Sequence, residues 1–417
     1  MTDVRRLTED ELSAFAAIAA NAYPAFAIQT AEERQKVVER WIADLPDATS
    51  ALYGAFREGT LVGGMRLHDF TMNLFGAQVP TGGVGMVATD LIHKKEHVAK
   101  DLVAFFLEHF RSRGTPFAAL YPFRPDFYKQ MGFGYGTKVD EYRVRPADLP
   151  GGERAHVAYL TTDDATALAE CYARRQARTH GLMQRPDAMF TRWLANPKNR
   201  FIGYRRDGRV EGYLICTFEQ VDPKNFLSHD LIVEELVYEH PAALRELLAF
   251  LNTQADQIRY VLVHNQDEQF HFLLRDPRNN SGEIIPHVVL AHVTNIQGAG
   301  IMYRVLDTAA AFRALVDHNF GGQTLRLQIT VADSFFPAND GGVTVHFREG
   351  KAQVVASGAY DATIRLDVAD FSSLLLGVVS FKTLYNYGLA HLADASYLDA
   401  VNGVFHSDAP PICLTAF

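Results

Sequence analysis

Tyr128 lies in the string Phe127-Tyr128-Lys129-Gln130-Met131-Gly132-Phe133, a phenol among apolar and basic neighbours just ahead of a glycine. A phenol keeps its proton at neutral pH yet can give it to a more basic atom in a transition state, so Tyr128 is a candidate general acid. The plainer alternative is a core tyrosine with a satisfied hydroxyl, the usual fate of that residue. The second candidate is Phe417. Residues Pro410–Phe417 are apolar and uncharged, unlike the polar tails that fray from most domains. An α-carboxylate there titrates near pH ~3.5 and is ionised at neutral pH, able to accept a hydrogen bond or a proton. A packed edge without chemistry accounts for the same residues. A third group, His93-Lys94-Lys95-Glu96-His97, matches the H-x-x-E-H string in which two histidines hold zinc beside a glutamate base. Its spacing names no third ligand, and solvated charges on a first helical turn explain it equally.

These residues need elements to carry them. Thr8-Glu9-Asp10-Glu11 and Thr30-Ala31-Glu32-Glu33 read as capping boxes opening two helices. Residues 52–56 and 61–67, joined through Arg57-Glu58-Gly59, read as a hairpin, and Gly82–Thr89 as a buried strand. Gly82-Gly83-Val84-Gly85 resembles part of a nucleotide loop, but it opens that strand. Val98, Leu102, Phe105, Phe106 and Phe110 predict a helix with one buried face, stopped at Gly114. A strand at Phe117–Tyr121 and a short helix at Pro125–Met131 follow, so Tyr128 rides on the helix. Met65, Met72 and Met86 read as core filler. Punctuation thickens at Arg145–Gly152, which marks a boundary. The expected domains are 1–150, 151–300 and 301–417. The second repeats the mixed pattern, with helices at 164–180 and 241–258 and strands at 201–204, 212–218 and 260–263. The third alternates with period two at Leu325–Val331 and Thr363–Val368, then turns helical at Phe371–Leu376 and Tyr397–Phe405.

Strand, basic turn, amphipathic helix, strand and then the Tyr128 string resemble the GNAT acyltransferases. The whole arrangement, with Leu374-Leu375-Leu376-Gly377 and the Cys413–Phe417 tail, resembles the enhanced intracellular survival (Eis) acetyltransferases. The resemblance implies an α+β chain: tandem GNAT-like α/β domains followed by a sterol-carrier-protein-like α/β domain. It implies direct acetyl transfer from acetyl-CoA, as co-substrate and without a metal, to a primary amine such as an aminoglycoside or a lysine-like acceptor. Tyr128 would protonate the departing thiolate and the Phe417 carboxylate would serve as base. Main-chain groups of Val87 and Thr89 would face the thioester, and the turn Lys94, Lys95, His97, Val98 and Ala99 would cradle the diphosphate. The family's Arg/Gln-x-x-Gly-x-Gly/Ala pattern is met at Lys94 and Ala99, whereas His97 stands for a glycine and Glu96 adds a negative charge. Those departures support the alternative of a non-catalytic GNAT-derived binding protein that no longer takes coenzyme A. The resemblance further implies a homo-oligomer, the hexamer being the family's best-known form.

Composition bounds these readings. The chain has 417 residues, 48% hydrophobic and 21% charged, enough for several cores. A net charge of −9 argues against a nucleic-acid partner and suits cationic small molecules. Cys171, Cys216 and Cys413 form no CxxC pair, which fits a reducing, cytoplasmic setting. The N-terminus shows no apolar signal region, and no run reaches the ~18 apolar residues of a membrane span, so no membrane partner is expected.

Overall fold

The computed structural model describes residues 2–285, 290–356 and 358–417. They fall into two compact units. One comprises residues up to Gly136 together with Ile301–Pro411 and Ala416–Phe417, and the other comprises Thr137–Gly300 with Ile412–Thr415.

In the first unit both capping boxes form. Thr8 opens the turn that leads into α1 (Leu12–Ala22), and Thr30 opens α2 (Ala31–Asp44). The Glu33 N–H donates to Thr30 Oγ1 (3.1 Å) and the Thr30 N–H to Glu33 Oε2 (2.9 Å), so two donors a bare helix end leaves orphaned are satisfied. The strands are β1 (Asp3–Arg6), β2 (Ser50–Arg57), β3 (Thr60–Leu74), β4 (Ala77–Thr89), β5 (Phe117–Leu120) and β6 (Gly134–Tyr135). They form a seven-stranded sheet of order β1-β2-β3-β4-β5 followed by Met302–Val305 and then β6. The β2–β3 hairpin turns at Glu58 and Gly59, with φ of 49° and 79°, the left-handed pair a two-residue hairpin needs.

Between β4 and β5 runs α3 (Val98–Ser112), which buries Val98, Leu102, Phe106 and Phe110 against the sheet and half-buries Phe105. Phe106 and Phe110, fully buried, each contribute roughly 1.5–3 kcal/mol by leaving water. Then α4 (Pro125–Lys129) starts on proline, whose missing N–H is no loss at a first helical position.

The C-terminal part of this unit is a five-stranded sheet of order Lys351–Val355, Gly341–Arg348, Leu325–Ala332, Ala362–Asp367 and Ala390–Leu392. Leu325, Leu327, Ile329 and Val331 are buried while the residues between them are not, the period-two pattern of a sheet with one covered face. The helix Val368–Leu375 begins earlier than its apolar run suggests, because Asp367 caps it by accepting from the Ala369 N–H (2.8 Å). All eight of its residues are buried, packed against the Met302–Val305 strand, β6 and its own sheet.

The second unit holds another seven-stranded sheet, ordered Val157–Tyr159, Arg200–Arg206, Arg209–Asp222, Asn225–Tyr238, Ile258–Asn265, Val139–Val144 and Ile296–Gly298. Its helices include Ala165–Gln176, Asp187–Ala195 and Pro241–Asn252. Among the described residues no helix is long and apolar enough to cross a membrane.

Candidate active site

β4 and β5 run parallel and pair from Thr81/Phe117 to Val84/Leu120, where the pairing stops although β4 continues to Thr89. A bulge turns β4 aside: Arg66 of β3 faces Gly85 and Gly64 faces Ala88, so Met86 and Val87 oppose Met65 alone, with Met86 at φ 52°. From Gly85 to Thr89 the strand keeps β3 on one side and loses its partner on the other. A parallel pair that parts in this way offers backbone N–H and C=O groups to an extended, amide-bearing ligand.

Tyr23, just past α1, donates its hydroxyl to the Val87 carbonyl at 2.7 Å. Tyr128 is buried near the same place, its ring edge-on to Phe123, Phe127 and Phe133. Burial first, and the neighbouring Tyr23 phenol second, raise the Tyr128 pKa above the ordinary phenol range, and burial pushes Tyr23 up to about 12. Both therefore hold their protons at neutral pH. Among the described residues nothing hydrogen-bonds the Tyr128 hydroxyl, and it is not one of the buried polar atoms left without a partner, so it is open to water or a ligand.

Alternate residues of β4 face opposite sides of the sheet. A Cβ on Gly82 would sit 2.5 Å from the Phe110 ring of α3, whereas one on Gly83 would strike Phe70 on the other side. Gly85 shares the Phe70 side, and its Cβ position lies 2.9 Å from the main-chain carboxyl carbon of Phe417. The glycines of Gly82-Gly83-Val84-Gly85 thus make room for two rings and a carboxyl group. The Phe417 ring is held by Phe70 (centroids 4.8 Å apart), Tyr121 (5.3 Å) and His68 (5.7 Å). Burial holds the His68 imidazole down at about 3, so it is neutral at physiological pH. Tyr128 belongs to the core on the α3 side, with Val84, Phe106 and Phe110. Phenol and carboxyl therefore approach the parting of β4 and β5 from opposite faces.

The turn from β4 to α3 carries the remaining candidates. Thr89 closes β4 opposite Gly63, and Lys94 and Lys95 are exposed. Lys95 and His97 both lie in the left-handed region, each at φ 66°, and His97 is the N-cap of α3 without a side-chain cap bond. Val98 is buried, so its contribution is its N–H, like that of Ala99. Left-handed residues leading into an uncapped helix N-terminus make a concave set of N–H donors that suits a phosphate. His97 therefore reproduces the backbone shape of the expected glycine, at a strain of roughly 1 kcal/mol. The Glu96 carboxylate is engaged elsewhere: it binds Arg57 Nη1 (2.6 Å) and His93 Nδ1 (3.1 Å), while Arg57 Nη2 takes the Glu96 carbonyl (2.6 Å).

The H-x-x-E-H string does not form a helical pair. His93 ends a 3-10 turn and His97 is left-handed, so the two do not stand one turn apart on a helix. Among the described residues no three His, Cys, Asp or Glu groups are placed to hold a metal ion. Sequence reasoning missed Tyr23, His68, Phe70 and Tyr121, which belong to no motif. Only the alternation along β3 put His68 and Phe70 on one face.

Residues 3–136 match the family described as acetyltransferase (GNAT) domain, residues 181–305 match a second family of that description, and residues 310–414 match a sterol carrier protein domain. The chain thus carries two GNAT domains followed by a sterol-carrier-protein-like domain, in a mixed α/β architecture. An uncharacterized N-acetyltransferase of Streptomyces avermitilis is 26% identical, with 98% of each chain covered. In fold the chain is similar to a GCN5-related N-acetyltransferase from Anabaena variabilis (TM-score 0.82, 16% identity) and to Eis1 from Mycobacterium abscessus (TM-score 0.78, 21% identity), each over 100% of both chains.

Proposed function

We propose that this protein is an acetyl-CoA-dependent N-acyltransferase of the Eis-like kind, acting on primary amines such as aminoglycosides or lysine-like acceptors. One observation carries the reading: the Tyr128 hydroxyl and the Phe417 carboxyl flank, from opposite faces, the place where β4 leaves β5. Acetyl-CoA supplies an activated acyl group as a thioester. The main chain of Val87 and Thr89 aligns the donor's extended arm. Lys94, Lys95, His97 and the N–H groups of Val98 and Ala99 receive its diphosphate. The Phe417 carboxylate takes a proton from the acceptor's ammonium, so that the amine attacks as the free base. Tyr128 gives its proton to the departing thiolate, and its raised pKa keeps that proton in place until negative charge develops on sulfur. The three cysteines are free and buried, in keeping with a cytoplasmic enzyme. A homo-oligomer, in the hexameric form, completes the reading and would be checked by sedimentation.

The direct test adds one glycine after Phe417. The carboxyl then leaves Gly85 and an amide takes its place, so turnover should be abolished or sharply reduced while acetyl-CoA still raises the melting temperature. Full activity in that variant would remove the carboxyl from the mechanism. Loss of the acetyl-CoA melting shift in the unextended protein would remove the donor.

A further inference from the structure

The turn that carries Tyr128 is gripped from the far side. Arg304, on the Met302–Val305 strand, is fully buried; its Nη1 donates to the Met131 carbonyl (2.5 Å) and its Nη2 to both oxygens of Asp333 (2.8 and 2.6 Å). The Met131 N–H in turn donates to the Tyr128 carbonyl at 3.0 Å, and the Phe133 N–H donates to the same oxygen at 3.1 Å. One residue along, Lys129 Nζ pairs with Asp370 on the Val368–Leu375 helix at 2.7 Å. The two glycines of this stretch record how close the grip is. A Cβ on Gly132 would collide with the Arg304 guanidinium, and one on Gly134 with the Ala369 carbonyl. Asp333 is itself fixed: it accepts from the Phe336 N–H (3.0 Å), and its own N–H donates to Asp340 (2.8 Å).

A core that only needed to bury this turn would be better served by apolar contacts, because a fully buried ion pair seldom repays its desolvation. What a buried charge-assisted Arg–Asp pair supplies is direction, with Nη2 held by both carboxylate oxygens and Nη1 aimed at the Met131 carbonyl. Here the direction falls on the carbonyl of Met131, the residue whose N–H hydrogen-bonds the Tyr128 carbonyl. We propose that Arg304, Asp333, Lys129 and Asp370 are positioning residues for the Tyr128 hydroxyl, so that the sterol-carrier-like part of the chain sets the geometry of proton delivery. The proposal rests on the reading of Tyr128 as the acid. An acid displaced by about 1 Å can cost up to roughly a hundredfold in rate, although nothing it touches has changed.

The test is a double-mutant cycle on the full-length protein. Lys129→Gln and Asp370→Asn are the mild variants, because that pair is partly exposed. Arg304→Lys keeps the charge but cannot both chelate Asp333 and reach Met131. Each is combined with Tyr128→Phe. With Tyr128 present, Lys129→Gln and Asp370→Asn should lower kcat by about tenfold, with acetyl-CoA affinity unchanged. In the Tyr128→Phe background they should add no further loss. Amide exchange at Met131 and Phe133 should quicken without a matching fall in melting temperature. Equal losses in both backgrounds, or unchanged kcat with Tyr128 present, would overturn the proposal. Full turnover of Tyr128→Phe alone would instead overturn the acid assignment, so the two failures are told apart. If Arg304→Lys does not fold, the Lys129 and Asp370 arms decide the matter.

Discussion

The chain builds one β-α-β unit twice and uses the copies differently. In the first, β4 and β5 stop pairing at Val84 and Leu120, and the gap beyond is entered by the Tyr23 hydroxyl on Val87. In the second, Asn225–Tyr238 and Ile258–Asn265 are also parallel and stop pairing at Val233 and Val263. That opening holds the chain's own tail. Gln266, directly after the strand, accepts from the Cys413 N–H at 2.7 Å. Arg185, paired with Glu235 (2.8 Å), donates to the Leu414 carbonyl and to Thr415 Oγ1 (3.0 Å). The turns differ in the same sense. Asp90–His97 gives the first copy two left-handed residues before an uncapped helix. The second has only Glu239 and His240 before Pro241, which has no N–H to give. His240 also caps its helix by accepting from the Ala243 N–H (3.3 Å) while contacting Glu211 (3.0 Å). In the first copy the gap and the uncapped N–H groups are the proposed donor site; in the second the gap holds the tail and the helix is capped.

This contrast can be broken at several points. The largest effect should come from Tyr128→Phe, which should lower kcat by roughly 10²–10⁴ while acetyl-CoA affinity measured by calorimetry stays within about twofold. In the second copy the corresponding damage should fall on stability. Arg185→Met strands the buried Glu235 carboxylate and should cost roughly 3–5 kcal/mol in denaturant unfolding; a smaller loss would mean the tail is held by other contacts. Calorimetry should also find one acetyl-CoA per chain, and two would show that the tail does not close the second gap. A subtler effect belongs to His68. Its folded pKa of about 3 lies below the ordinary 6.5, so the unfolded chain binds a proton the folded one refuses. Stability should therefore fall as pH drops from about 6.5 towards 3, and His68→Phe should flatten that slope. The smallest effect is His97→Gly, which relieves a left-handed histidine and should add roughly 0.5–1 kcal/mol and tighten acetyl-CoA. Weaker binding there would give the imidazole a role of its own.

Much of the fold was legible because its signals are local. Thr30 with Glu33, Glu58-Gly59 and the Val98–Phe110 periodicity each act within a turn or a helix, and each element formed. The Tyr128 string was legible as well, though its glycine was readable only as a stop; that Gly132 also yields to Arg304 is a contact across more than 170 residues. Long-range pairing left no trace. Val139–Val144 sits beside Ile258–Asn265, and Met302–Val305 sits between β5 and β6, yet neither run differs in composition from a strand paired with its sequence neighbours. His97 could be read in the sequence only as a side chain in place of a glycine; that its backbone is left-handed is set by the turn and leaves no mark on residue type.

That placement of Met302–Val305 governs how the protein can be made. Among the described residues β6 pairs only through it, and β5 has no other partner on that edge. On the ribosome the first sheet must wait for Val305, some 170 residues after Tyr135, which at about 5–20 residues per second is roughly 10–35 s. Throughout that interval the apolar edge of Phe117–Leu120 stands open to pairing with other chains. A fragment ending at Gly136 would keep that edge open for good, and supplying Ile301–Pro411 as a separate peptide is the way to close it.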